Sequence, residues 1–360
     1  MDKKFVMGIA AMAALTLVSC SSDDLDSFSD NSSKNEAISF DSYLGRSAVA
    51  VNGSRSIMLN DKAALQGLEA GFGVFSKYTD GQTSDPVLFS NQPVTYKNLK
   101  WTYTPLRFWP TQGPIDFLAY APYDAKYTKL TGNSLEFTVE NKVADQKDLL
   151  WANATNQTKE NISNTGNKVT FQFKHALSRL GYTVQLYEGD PSNATFKLKK
   201  ITLAGSADGT AGTFYTTGTI DLSKTSSTDL WNTSASVKQK FDWDYSAKPL
   251  ELSKTENKIT NTNTEYLFVI PQNFPSTTEE NADKLYVIVE YDIHYKDINK
   301  TIPNKVYKQL TDKNFEQGKA YMLNLTIGLP IEFDADVTPW TKEGNEETGI
   351  GIDSWDDINH

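Results

Sequence analysis

The sequence predicts an all-β protein built as two tandem β-sandwich domains with few short helices. Three observations carry this. Aromatic residues make up 12% of the 360, with 17 Tyr, 18 Phe and 7 Trp, and they stand among many Thr and Val, a composition that suits strands. Apolar residues recur at every second position in short runs along most of the chain. Turn pairs such as Asn52-Gly53, Asp80-Gly81 and Gly113-Pro114 separate those runs, and helical spacing is almost absent. The length suffices for two domains of ordinary size.

The chain starts with Lys3 and Lys4, then an apolar run from Phe5 to Val18 that closes on Ser19-Cys20. A basic start, an apolar run of this length and a small residue before the break read as a secretory signal over residues 1–20. The run is too short to span a bilayer comfortably as a helix. Cys20 is the sole cysteine and stands where a bacterial lipobox places the residue that becomes lipidated. An ordinary signal peptide with an incidental cysteine is the other reading. Residues 21–36, dominated by Ser, Asp and Asn, form a polar tether with almost nothing to bury.

The first folded domain is expected over 37–180. Ala37-Ile38-Ser39-Phe40 opens it as a short alternating strand running towards Leu44-Gly45-Arg46. Asn60-Asp61 caps a short helix carrying Ala64, Leu65 and Leu68, stopped by Gly71. Phe72–Phe75 is a strand, Asn91-Gln92-Pro93 a break, and Ile115–Tyr120 alternates cleanly. Asp148–Ala152 is a short apolar strand, and Asn153 to Asn167 a polar loop. Val169, Phe171 and Phe173 alternate before the half closes at Leu180.

The second domain is expected over 181–342. Tyr182–Leu186 and Phe196–Leu203 have period two, whereas Gly205–Gly218 and Ser223–Ser236 read as loops or weak strands. Tyr266–Ile270 and Leu285–Tyr291 are near-continuous apolar runs, as sandwich-core strands are. Tyr321, Leu323, Leu325 and Ile327 share one face of a late strand, and Val337-Thr338-Pro339-Trp340 ends the folded part. Residues 343–360 form an acidic tail.

Several function classes find no support. Net charge is -10, which disfavours nucleic acid and anionic membrane surfaces as partners. One cysteine allows no internal disulfide. The three histidines, His175, His294 and His360, have no cysteine or second histidine at ligand spacing, so no metal site and no cofactor is expected. His175 reads as a core or hydrogen-bonded histidine. Asp242-Trp243-Asp244 lacks the sixth-position glycine of a calcium loop. Gly209-Thr210-Ala211-Gly212 lacks the Gly-Lys-Ser/Thr ending of a phosphate loop, and no Gly-x-Ser-x-Gly elbow occurs. An enzyme is not expected.

Four blocks in order carry a family likeness. They are Phe108-Trp109-Pro110 with Ile115–Pro122, then Phe171–Leu180, Gly318–Leu325 and Val337–Trp340. Together, behind the lipobox, they resemble the fimbrillin (Mfa-like) family, whose members build type V pili. The resemblance implies transthyretin-like sandwiches and a precursor exported to the outer membrane as a lipoprotein, lipid-anchored through Cys20. It implies a trypsin-like protease that cuts after Arg46, or failing that Arg55, releasing a first strand plugged by Ile38 and Phe40. It implies partners that are other copies or related pilus subunits, joined by donor-strand exchange in a fimbrium. Glycine and serine flank both arginines, as in a loop a protease can enter. The candidate donor lies beyond Trp340, where Ile350 and Ile352 alternate with glycines ahead of Trp355; a disordered acidic end remains the alternative.

Two further hypotheses stand beside the pilus subunit. One is a non-polymerising carbohydrate-binding surface lipoprotein, a pilus tip or anchor. In it Trp101, Trp109, Trp151, Trp231 and Trp243 would stack on sugar rings. The other is a hydrolase, with only scattered carboxylates behind it. The host or bacterial receptor is not legible.

Overall fold

The computed structural model describes residues 36–44, 59, 61–78, 88–187, 193–226, 229–233, 236–252, 259–260, 265–276, 282–329 and 334–339. Cys20, Arg46, Arg55, Ile350, Ile352 and Trp355 lie outside the described residues.

The first half is built on β1 (Phe40–Leu44), β2 (Phe72–Tyr78), β3 (Gln92–Lys97), β4 (Lys100–Thr102), β5 (Ile115–Ala121), β6 (Ser134–Thr138), β7 (Leu150–Gln157) and β8 (Val169–His175). All but β6 join one seven-stranded sheet, in the order β1-β8-β7-β5-β2-β3-β4. That sheet rolls on itself. Four strand spacings separate β1 from β2, about 19 Å if the sheet were flat. The Phe40 and Phe72 rings are nevertheless only 6.5 Å apart. The single α-helix among the described residues, α1 (Lys62–Gln66), is capped by Asp61, whose side chain accepts from Ala64 N at 2.8 Å.

Two sequence expectations shift here. Asn91-Gln92-Pro93 is no break, because Gln92 and Pro93 start β3, with Pro93 opposite Gly73. The polar stretch after Ala152 remains strand to Gln157. Polarity there reflects an open outer end of the strand.

The second half contains β9 (Ser178–Leu186), β10 (Ala194–Ala204), β11 (Phe214–Tyr215), β12 (Thr217–Asp221), β13 (Trp231–Asn232), β14 (Lys238–Gln239), β15 (Phe241–Asp244) and β16 (Leu250–Glu251). It continues with β17 (Ile259–Thr260), β18 (Leu267–Val269), β19 (Gln272–Phe274), β20 (Leu285–Tyr295), β21 (Lys300–Leu310), β22 (Lys313–Phe315), β23 (Ala320–Ile327) and β24 (Asp334–Pro339). Two five-stranded sheets dominate it. One runs β15-β10-β20-β21 with β16 beside β10; the other runs β17-β9-β23-β24 with β18 beside β9. Leu198, Ile201, Leu203, Val287, Val289, Leu323 and Leu325 belong to one buried cluster shared by these sheets. β21 has no apolar alternation to announce it. It forms because β20 presents eleven residues of ladder, and its lysines and Pro303 suit an exposed edge.

The halves are welded, not merely linked. β5 sends Ile115, Phe117 and Ala119 into the first-half core and Leu118 and Tyr120 into the second. β6 leaves the first sheet to pair with β12. Only Ala176 and Leu177 separate β8 from β9.

Candidate functional site

The candidate site is the groove that β1 fills. Period two puts Ile38, Phe40, Ser42 and Leu44 on the buried side, at 1%, 3%, 1% and 2% exposure. Tyr43 faces outward. β1 pairs with β8 in parallel, from Phe40 opposite Val169 to Leu44 opposite Phe173. It is the terminal strand of its sheet. Its approach is tied on both sides: Ile38 N donates to Arg107 O at 2.8 Å, and Val169 N donates to Ser39 O at 2.9 Å. The Tyr103 hydroxyl donates to Ile38 O at 2.6 Å. Burial pushes the Tyr103 hydroxyl upward, against a lowering backbone hydrogen bond and charge from Arg107, so it stays a neutral donor.

Phe40 is the centre of the plug. Its ring lies 5.5–6.5 Å from the rings of Phe72, Phe89, Tyr103, Phe117 and Phe171. Those five side chains come from different parts of the first half, so this one residue closes the rolled sheet. Ser42 Oγ is buried without a hydrogen-bond partner. At the rim, Asp41 meets Lys62 of α1 at 3.6 Å and accepts from Ser42 N at 2.8 Å.

A buried polar cluster gathers around Asp148. Leu59, itself buried, donates its N–H to Asp148 Oδ2 at 3.4 Å. The same carboxylate sits 2.8 Å from His175 Nδ1, both side chains fully buried. Arg179, two residues into the next half, is 1% exposed, and its guanidinium lies 4.8 Å from the Tyr266 ring centre. Burial pulls the Arg179 guanidinium down to about 9, while Tyr266 and Asp148 act to raise it. Gln317 Nε2 donates to His175 O, and Gln146 Oε1 accepts from Phe268 N at 2.7 Å. The cluster therefore ties Leu59 to the junction of the halves.

Of the residues singled out from sequence, the structure brings Ile38 and Phe40 together and adds Ser42 and Leu44. Alternation alone signals those two. Tyr103, Lys62 and the Asp148–Arg179 pair carry no such signal, because their roles come from distant segments meeting. Trp101, Trp109, Trp151 and Trp243 are buried. Trp231 is half-buried, with its Nε1 donating to Ala176 O at 2.8 Å. No described tryptophan offers an open face to a sugar. His294 Nδ1 lies 3.0 Å from Thr301 Oγ1 on the neighbouring strand.

Comparison with known proteins places this architecture. A model of the fimbrillin-like family matches residues 63–340. Fimbrium subunit Fim1C of Phocaeicola vulgatus is 26% identical over 395 positions, spanning 95% of this chain and 98% of its own length. A crystal structure of a fimbrial protein from Bacteroides vulgatus has the same fold, with a TM-score of 0.63 at 20% identity, over 86% of this chain and 100% of that one. The family match covers most of the chain and both halves of the fold, and the chain belongs to the fimbrillin-like family.

Proposed function

We propose that this chain is a structural subunit of a fimbrium at the cell surface, exported as a lipoprotein on Cys20 and polymerised by strand exchange at the β1 groove. The observation that carries the reading is β1 itself. It is a terminal strand, held on one side by a parallel ladder, with three large apolar side chains in the core. Losing it would uncover those sites, each worth about 1.5–3 kcal/mol of apolar burial. It would also strip the β8 edge of its partner. An extended segment from a neighbouring subunit restores both terms, giving main-chain hydrogen bonds along its length and alternate side chains for the vacated pockets.

Processing fits the same geometry. Arg46 and Arg55 both fall between the buried Leu44 and Leu59. A cut by a trypsin-like protease at either one severs β1 from the fold while Leu59 stays bonded to Asp148. Cys20 and the tether would leave with β1, so the lipid delivers the subunit to the outer membrane and does not hold it there. Ile350, Ile352 and Trp355 are the donor candidates. Fim1C and the Bacteroides vulgatus protein, named as fimbrial, support the role of the whole. Such a subunit contributes to adhesion by assembly rather than catalysis.

The test is N-terminal sequencing of surface-recovered protein, combined with sizing after mild trypsin treatment. Ser47 or Ser56 as first residue, with ladders of subunit multiples, is expected. A lipidated Cys20 as the sole first residue, with trimmed protein that stays monomeric, would overturn the proposal.

A further inference from the structure

A cleft opens beside the loop that follows β5, walled by side chains distinct from those around Phe40. Pro122 to Tyr127 form one wall, the end of β6 with Val139 and Glu140 the second, and the stretch from Gln146 to Leu149 the third. The loop has no regular structure, yet hydrogen bonds fix it. Tyr123 N donates to Gly71 O at 2.9 Å. The buried Tyr120 hydroxyl accepts from Asp124 N at 3.1 Å and donates to Asn91 Oδ1 at 2.6 Å. Asn91 Nδ2 donates in turn to Asp124 O at 2.9 Å. Across the cleft Gln146, 1% exposed, donates to Glu140 O at 3.0 Å and accepts from Phe268 N. Walls built in advance cost a ligand little ordering.

The lining combines ring faces with alternating charge. Phe137 and Leu149 are buried, and Tyr123 and Tyr127 are half-buried. Burial first, and then the Asp124 carboxylate, push the Tyr127 hydroxyl upward, so it stays a neutral donor. Lys126 Nζ lies 4.9 Å from the Tyr127 ring centre and 3.5 Å from Asp124 Oδ2. That lysine side chain is 51% exposed and free to swing aside. Glu140 and Lys147 complete the polar lining.

We propose that this cleft binds one neutral sugar residue at the end of a glycan, with a C–H face of the sugar on Tyr127 and its hydroxyls among Asp124, Glu140, Lys126 and Lys147. The site is independent of strand exchange. Charge decides against other small ligands. Two carboxylates and two ammonium groups cancel, so an ion of either sign meets two like charges. An apolar ligand would strip water from all four without replacing their hydrogen bonds. A polyol offers each of them a partner, and an aromatic face accepts its apolar side. Size sets the rest. The cleft holds about 80 Å³. A cavity that encloses benzene holds about 150 Å³. The cleft therefore seats part of one ring, and the remainder of the glycan points outward.

Saturation-transfer NMR on the purified full chain tests this, with the methyl glycosides of glucose, galactose, mannose and N-acetylglucosamine as probes. Each is supplied at about 10 mM, which suits a site of millimolar Kd. At least one glycoside is expected to receive saturation at its ring protons. Glu140→Gln and Lys147→Ala change exposed side chains and should leave Tm unaltered. Each should weaken that binding about tenfold, the effect of one charge-assisted hydrogen bond. Tyr127→Leu should abolish it. Tyr307→Ala, which removes a tyrosine 59% exposed on β21, should leave it intact. No transfer to any of the glycosides would overturn the proposal. So would binding that survives both Glu140→Gln and Lys147→Ala undiminished, or binding that Tyr307→Ala removes. Tetramethylammonium that binds where the glycosides do not would make the cleft a cation site and would overturn it as well.

Discussion

β1 and β24 are both terminal strands, yet different forces hold them. β1 contributes Ile38, Phe40 and Leu44 from the strand and its approach, and a rim ion pair, Asp41–Lys62. Among its described side chains β24 buries Ala335 and Val337, and it is clasped by lysines: Lys308 to Asp334, and Lys313 to Asp336 at 2.6 Å. One is a plug with apolar depth; the other is a strap with small side chains and charged ties. A plug leaves a large hole and a strong drive to refill it. A strap held by small side chains and charged ties leaves less apolar surface uncovered when it is removed. On the strand-exchange proposal the plug is the exchangeable partner, and the strap is the strand that precedes the donor candidates in sequence.

This contrast can be broken by substitution, starting with the largest expected effects. Phe40→Ala should cost about 3–5 kcal/mol in urea unfolding, since the ring is removed from among five others. A loss under about 1 kcal/mol would deny the plug its role. Asp148→Ala should cost about as much, 3–5 kcal/mol, because His175 and Arg179 lose a buried carboxylate and Leu59 N–H its acceptor. It should also speed trypsin attack on the chain between Leu44 and Leu59, which gel densitometry reads.

The strap should respond less. Val337→Ala removes about 1–2 kcal/mol of burial, measurable as a shift in the urea midpoint. Lys313→Ala should cost no more than about 1 kcal/mol, and less in high salt, because Asp336 is more than half exposed. Hydrogen bonds from Lys308 and Lys313 hold the Asp334 and Asp336 carboxyls below their ordinary 3.8. A carboxylate lowered on folding stabilises above its unfolded value, and that stability is lost as pH falls through the folded value. β24 should therefore loosen progressively as pH falls below about 4. Pepsin nicking there should accelerate in that window before β1 is touched. Equal acceleration at both strands would erase the distinction.

The residues of the plug were legible because alternation is a local pattern, and Ile38 and Phe40 stand alone in a polar surrounding. So was the α1 cap, where Asp61 lies three residues ahead of Ala64. The ladder partner of β1 was not legible, because parallel pairing with β8 joins segments more than a hundred residues apart. β21 was hidden for another reason. Its sequence, Lys300 to Leu310, carries the polarity of an exposed edge, and only the long apolar β20 recruits it. Asp148, His175 and Arg179 read as unrelated charges until β7–β8 pairing and the short β8–β9 connection bring them together.

The most direct test of the central idea is native mass spectrometry of trypsin-trimmed protein. If β1 is a replaceable plug, the peptide ending at Arg46 or Arg55 stays bound to the trimmed subunit without a covalent link. It should then leave in step with the appearance of dimers and longer chains. A peptide that never dissociates while chains form, or one that leaves while the subunit remains a monomer, would contradict it.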